Sequence, residues 1–161
     1  MAYKMIVLDL DGTLTNNKKE ITPRTYEALM EAQKKGIVVV LASGRPTYGI
    51  MPLAKQLKLA EYGGYILAYN GGKIMDCKSG NTVFNQELCP DLVPMLYDEA
   101  MKAGVQILTY QSDGIAATKA DDEYVEHEAF INKMPVVEYS DFKNQVEYPI
   151  NKCLIYQFII T

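Results

Sequence analysis

The first seventy residues alternate between short, continuously apolar runs and longer stretches with helical spacing. Met5-Ile6-Val7-Leu8 is apolar throughout, and with Lys4 it predicts a strand over 4–8. An unbroken apolar run is what a strand carries when helices cover both faces of its sheet. Thr22-Pro23 then offers a hydroxyl N-cap with proline at the first helical position. That helix runs through Ala28, Leu29 and Ala32 to Lys34-Lys35, and Gly36 closes it. Ile37 to Leu41 is a second, β-branched strand run, and a helix over roughly 47–57 follows, with Pro52 near its first turns. Tyr65 to Tyr69 predicts a third strand. Strand, helix, strand, helix, strand implies right-handed crossovers and a parallel sheet, so the loops after the strands share one edge.

The second half has a different texture. Lys78-Ser79-Gly80-Asn81 lies between short extended pieces and predicts a hairpin within 73–84. A helix over 91–103 is stopped by Gly104, and Ser112-Asp113-Gly114 marks a second hairpin between Val105–Tyr110 and Ile115–Lys119. Asp121-Asp122-Glu123 suits the positive end of another helix that reaches Lys133 before Met134-Pro135. The run Cys153 to Ile160 reads as a last strand. The expected class is α/β: a partial parallel-sheet core over 1–84 and an α+β domain over 85–161. Domains usually stop in polar, flexible chain. This sequence stops one residue past an apolar strand and offers three core strands, so it is expected to be a truncated chain whose exposed edges could pair in a homodimer.

Composition narrows the partners. Apolar content of 48% and charged content of 22% over 161 residues are those of an ordinary globular protein. A net charge of -4 with scattered signs leaves no basic footprint and argues against nucleic acid. No apolar stretch is long enough to span a bilayer, and the start does not read as a secretory signal. Cys77, Cys89 and Cys153 are an odd count without a Cys-x-x-Cys pair, which predicts free thiols in a reducing cytoplasm.

The chemistry gathers at the strand ends. Asp9-Leu10-Asp11-Gly12-Thr13-Leu14 follows the first strand directly. Carboxylates two apart on extended chain point to one side, which suits a divalent metal and a phosphoryl group. The plainer alternative is a strand end with a solvated Asp-Gly turn. Ser43-Gly44 after the second strand is either a phosphate grip or a turn, and Arg45 either a phosphate partner or half of a structural ion pair. Asn70-Gly71-Gly72 after the third strand is either a substrate-side loop or a tight turn. His127, between Glu126 and Glu128 on a helix, reads as a solvated side chain, and Lys152 as the start of the last strand.

Asp9-Leu10-Asp11-Gly12-Thr13-Leu14, Leu41-Ala42-Ser43-Gly44-Arg45-Pro46 and Tyr69-Asn70-Gly71-Gly72, in that order on successive strand ends, resemble the haloacid-dehalogenase-like (HAD) hydrolases. Within them the resemblance is to the Cof-type (subfamily IIB) sugar-phosphate phosphatases, which insert an α+β cap after the third core strand. It implies Asp9 as the nucleophile that forms an aspartyl-phosphate and Asp11 as general acid and base. It further implies Mg²⁺ on the Asp9 side chain and the Asp11 backbone carbonyl. Gly12 and Thr13 amides would lie near the phosphoryl group, Ser43 and Gly44 would grip a phosphate oxygen, and Arg45, Asn70 and Gly71 would face phosphate or substrate. The implied substrate is a small phosphorylated metabolite such as a sugar phosphate. The family's later lysine motif and final acidic motif are not present, so these residues alone are expected to turn over weakly or not at all. Two other classes share parts of the pattern: a phosphoryl-accepting signalling domain, and a phospho-ligand-binding or assembly fragment.

Overall fold

The computed structural model describes residues 3–156. The chain divides into two compact units, Met1–Asn85 and Gln86–Thr161.

The first unit is built on strands β1 (Met5–Asp9), β2 (Val38–Ala42), β3 (Tyr65–Ala68), β4 (Lys73–Asp76) and β5 (Thr82–Asn85), in the order β1-β2-β3-β4-β5. The first three are parallel, with Asp9 opposite Ala42 and Ala42 opposite Leu67. The expected hairpin forms and joins the same sheet, β4 pairing antiparallel with both β3 and β5. Helices α1 (Pro23–Lys34) and α2 (Thr47–Gln56) are the two that the spacing predicts, and α3 (Leu59–Tyr62) is an extra turn of helix. The Thr22 hydroxyl accepts the Thr25 amide at the start of α1, satisfying one of the donors a helix leaves open. Leu10, Leu29, Val39, Leu41, Ile50, Leu53, Leu57 and Ile66 form the core between sheet and helices. Gly64 admits no side chain, because a Cβ there would stand 2.5 Å from the Val39 carbonyl oxygen.

Two expectations need correcting here. The β1 run is not covered on both faces: Met5 and Val7 are 50% and 56% exposed, while Val39 and Leu41 on the next strand are fully buried. β1 lies at the sheet edge, and among the described residues the face bearing Met5 and Val7 stays open along that strand. Strand β3 also ends at Ala68, because Tyr69 and Asn70 turn into left-handed backbone (φ 52° and 58°) and break the extended path.

The second unit carries a four-stranded sheet in the order β8-β7-β6-β9, made from β6 (Gln106–Tyr110), β7 (Ile115–Ala117), β8 (Val136–Glu138) and β9 (Cys153–Tyr156). Helices α4 (Leu92–Lys102) and α6 (Phe142–Gln145) supply Val93, Ala100 and Phe142 to a core completed by Ile107, Ala116 and Ile150. Helix α5 (Glu123–Asn132) starts where the acids predict, with Asp122 accepting the Tyr124 amide at 2.9 Å. From α5, Glu128 accepts hydrogen bonds from the buried Tyr110 hydroxyl and the buried Asn132 amide, both at 2.9 Å. β8 and α6 are short and carry no period that announces them. Of the expected last strand, residues 153–156 are strand and 157–160 lie outside the described residues.

Candidate active site

Three parallel strands ending in register bring three loops to one edge. The loop after β1 is pinned from below: Leu10, Leu14 and Thr15 are buried, and the Leu10 carbonyl accepts the Thr15 amide at 2.9 Å and the Thr15 hydroxyl at 2.8 Å. The Leu14 amide donates to the Asp9 carbonyl at 3.1 Å. Between those anchors Asp9, Asp11, Gly12 and Thr13 are all exposed. Gly12 takes φ +82°, a conformation that a side chain would strain, so the glycine is what lets the chain reverse there. The alternation of apolar anchors and polar tips is the physical content of this motif.

The loop after β2 rises beside it. Ser43 donates its amide to the Leu67 carbonyl at 2.9 Å, and its hydroxyl accepts the Arg45 amide at 3.2 Å. Ser43 and Gly44 are half-buried, and Arg45 is only 7% exposed. The loop after β3 is tied to this one by two backbone bonds, Tyr69 amide to Arg45 carbonyl at 3.0 Å and Asn70 amide to Ser43 carbonyl at 3.1 Å. Tyr69, Asn70 and Gly71 are three consecutive left-handed residues, φ 52°, 58° and 92°. Asn70 is exposed and Gly71 half-buried, while the Tyr69 ring packs against the core, where burial pushes its phenol above the usual range. Such backbone costs of order 1–3 kcal/mol per residue for a side-chain-bearing residue and persists only where its surroundings enforce it.

The two acids stand in different company. Asp9, the last residue of β1, is exposed. Asp11 lies beyond the strand, in the turn, with its carboxylate held by three donors. Arg45 Nε donates at 3.0 Å to one oxygen, and Arg45 Nη2 at 2.5 Å and Lys19 Nζ at 2.8 Å donate to the other. The forked Arg45 contact, aided by Lys19, holds the Asp11 carboxyl below the ordinary carboxylate value, against the smaller opposing effect of burial. Arg45 therefore turns its guanidinium to Asp11. Lys19 is a participant that sequence reasoning passes over. Its only signal is a pair of lysines followed by Glu20 in a polar loop, and nothing in that spacing says which neighbour the ammonium meets.

Among the described residues no group of three or more His, Cys, Asp and Glu is arranged to hold a metal ion. With the Asp11 side chain on two cations, the hard oxygen donors on offer here are the Asp9 carboxylate and backbone carbonyls of the loop. One or two carboxylates completed by water and substrate phosphate is how Mg²⁺ is usually bound, so this donor set fits that ion.

Known proteins share this framework. The family profile described as haloacid dehalogenase-like hydrolase matches residues 6–159. A haloacid dehalogenase-like hydrolase from Bacteroides thetaiotaomicron is 50% identical with a TM-score of 0.88, over 96% of this chain and 58% of its own. The 5-amino-6-(5-phospho-D-ribitylamino)uracil phosphatase YcsE of Bacillus subtilis is 28% identical over 149 residues, 92% of this chain and 58% of the relative. The HAD subclass IIB sugar phosphatase BT4131 shares the fold, with a TM-score of 0.70 at 21% identity over 91% of this chain and 56% of its own. The chain spans about half the length of the curated relatives it matches. The chain belongs to the haloacid dehalogenase-like hydrolases, in their Cof-type branch.

Proposed function

We propose that the protein is a Mg²⁺-dependent phosphatase of small phosphorylated metabolites, sugar phosphates among them, and that this chain supplies its nucleophile and phosphate loops. The observation that carries the reading is the exposed Asp9 at the end of β1, beside the Gly12 turn and in register with the strand that delivers Ser43. A carboxylate there would attack phosphorus and form an aspartyl-phosphate, dividing one hard displacement into two easier ones. Gly12 and Thr13 would present amides to the phosphoryl oxygens, and Ser43 and Gly44 would hold another. Asn70 and Gly71 would border the leaving group's side, and Asp11 would protonate the alcohol oxygen as its bond to phosphorus breaks, then take a proton from the water that displaces phosphate from Asp9. Mg²⁺, held by the Asp9 carboxylate and the Asp11 backbone carbonyl, would offset the repulsion between nucleophile and phosphate. The substrate named for YcsE, a phosphorylated ribityl compound, is of this chemical kind.

The test is phosphoryl transfer to the chain itself. Incubation with acetyl phosphate and Mg²⁺ should give a phosphoryl adduct that hydroxylamine removes and that Asp9→Asn does not form. Hydrolysis of p-nitrophenyl phosphate, expected to be weak from this chain, should show the same dependence on Asp9. An adduct on another residue, or hydrolysis that survives Asp9→Asn, would overturn the proposal.

A further inference from the structure

Three charged groups meet at Asp11: its own carboxylate and the two cations of Arg45 and Lys19. Arg45 is 7% exposed, and a cation so placed depends on an anionic partner, since an unpaired buried charge is strongly unfavourable. Its fork fits a carboxylate and a phosphoryl group equally well, as both present paired oxygens to a planar guanidinium.

Lys19 is brought there by a built turn. Its backbone sits at φ +61°, which a lysine rarely adopts, and its amide donates to the Asn16 carbonyl at 2.9 Å. The Asn16 amide returns a bond to Glu20 at 3.0 Å, and the Asn16 side-chain oxygen accepts the amides of Lys18 and Glu20 at 2.9 and 3.1 Å. Two other lysines, Lys58 and Lys133, take the same backbone where they cap helices, whereas Lys19 takes it within a loop that brings its ammonium to Asp11.

We propose that Lys19 and Arg45 form an exchangeable anion clamp: they hold the Asp11 carboxylate in the ligand-free chain and take a phosphoryl oxyanion in its place when substrate enters. Lys19 is thereby a phosphate-binding residue of the site. The exchange keeps Arg45 paired throughout and frees the Asp11 carboxylate to approach the substrate. This rests on the phosphatase reading, and it deepens that reading by naming a cation for the phosphoryl group within this chain.

Calorimetric titration of the full chain with inorganic phosphate separates the two ideas. Asp11→Asn, which weakens the resident anion, should tighten phosphate binding about tenfold, and Lys19→Met should weaken it by a similar factor. The gain from Asp11→Asn should largely disappear in the Asp11→Asn/Lys19→Met double variant, because the two groups act on each other. Lys19→Arg should restore wild-type affinity. Lys19 is partly exposed, and a cooperative thermal unfolding transition well above the titration temperature will show that these variants fold. An Asp11→Asn gain of equal size with and without Lys19 would mean simple charge removal and would overturn the clamp. So would a Lys19→Met chain that binds phosphate like wild type, or an Asp11→Asn chain that binds none. Intact coupling with no Asp9-dependent phosphoryl transfer would support the clamp and sink the phosphatase reading.

Discussion

In the second unit the half-buried Glu128 is held by its own helix and sheet, accepting from Tyr110 and Asn132 with both donor residues buried. In the first unit Asp9 faces solvent from a strand end, and Asp11 sits on one cation from further along its own loop and one from the loop after β2. Both units bury apolar cores of ordinary kind. The difference lies in what the polar groups serve: in one they complete the fold, in the other they are held away from it. The backbone repeats the contrast, because Tyr69, Asn70 and Gly71 put three successive left-handed residues at the strand-end loops of the first unit. In α5 of the second unit the helix runs from an Asp122 cap to Lys133, a single left-handed residue (φ 54°) that ends it.

The comparison can be broken most sharply at Asp9. Asp9→Asn should take phosphoryl transfer to background while leaving the urea midpoint unchanged, because an exposed strand-end carboxylate contributes little to stability. Phe142, 1% exposed in the second unit, should do the reverse: Phe142→Ala should cost about 3–5 kcal/mol in urea unfolding. Gly71→Ala should lie between, with a loss of about 1–2 kcal/mol from strain at φ 92°, because the space around it is open. It should also slow phosphoryl transfer to Asp9, since the loop it distorts is bonded to the Ser43 loop.

Asp11 gives a smaller, pH-dependent effect. Its carboxyl is held below 3.8 by Arg45 first and Lys19 next, so its pairing stabilises the fold above that value. That stability is lost as pH falls through the lower folded value, and Lys19→Met should shift the acid-unfolding midpoint upward. The thiols give the finest test, one on which the two units should agree. Burial pushes Cys77 in the first unit and Cys153 in the second up to about 11. Iodoacetamide at neutral pH should therefore label the exposed Cys89 first and spare both of these, as peptide mass spectrometry would read.

What the sequence made legible follows the reach of its signals. Thr22-Pro23 and Gly36 bounded α1 because capping and left-handed chain reversal are local chemistry, and β1 and β2 announced themselves by unbroken apolar runs. α3, β8 and α6 span three or four residues, too few for a period to register, and packing alone decides them. The open face of β1 was hidden because Met5 and Val7 look identical to Val39 and Leu41 in sequence; only position in the sheet separates them. The motif residues of the three strand ends could be named from the chain. The company of Asp11 could not, since Lys19 and Arg45 meet it across separations of eight and thirty-four residues.

The two backbone bonds from Tyr69 to Arg45 and from Asn70 to Ser43 have a mechanical consequence. They weld the loops after β2 and β3 into one part, so neither can drift without dragging the other. A ligand that steadies Ser43 will steady Asn70 at no further ordering cost, and a change at Asn70 will be felt at Ser43. In hydrogen exchange the amides of Tyr69 and Asn70 should open together, as a single latch.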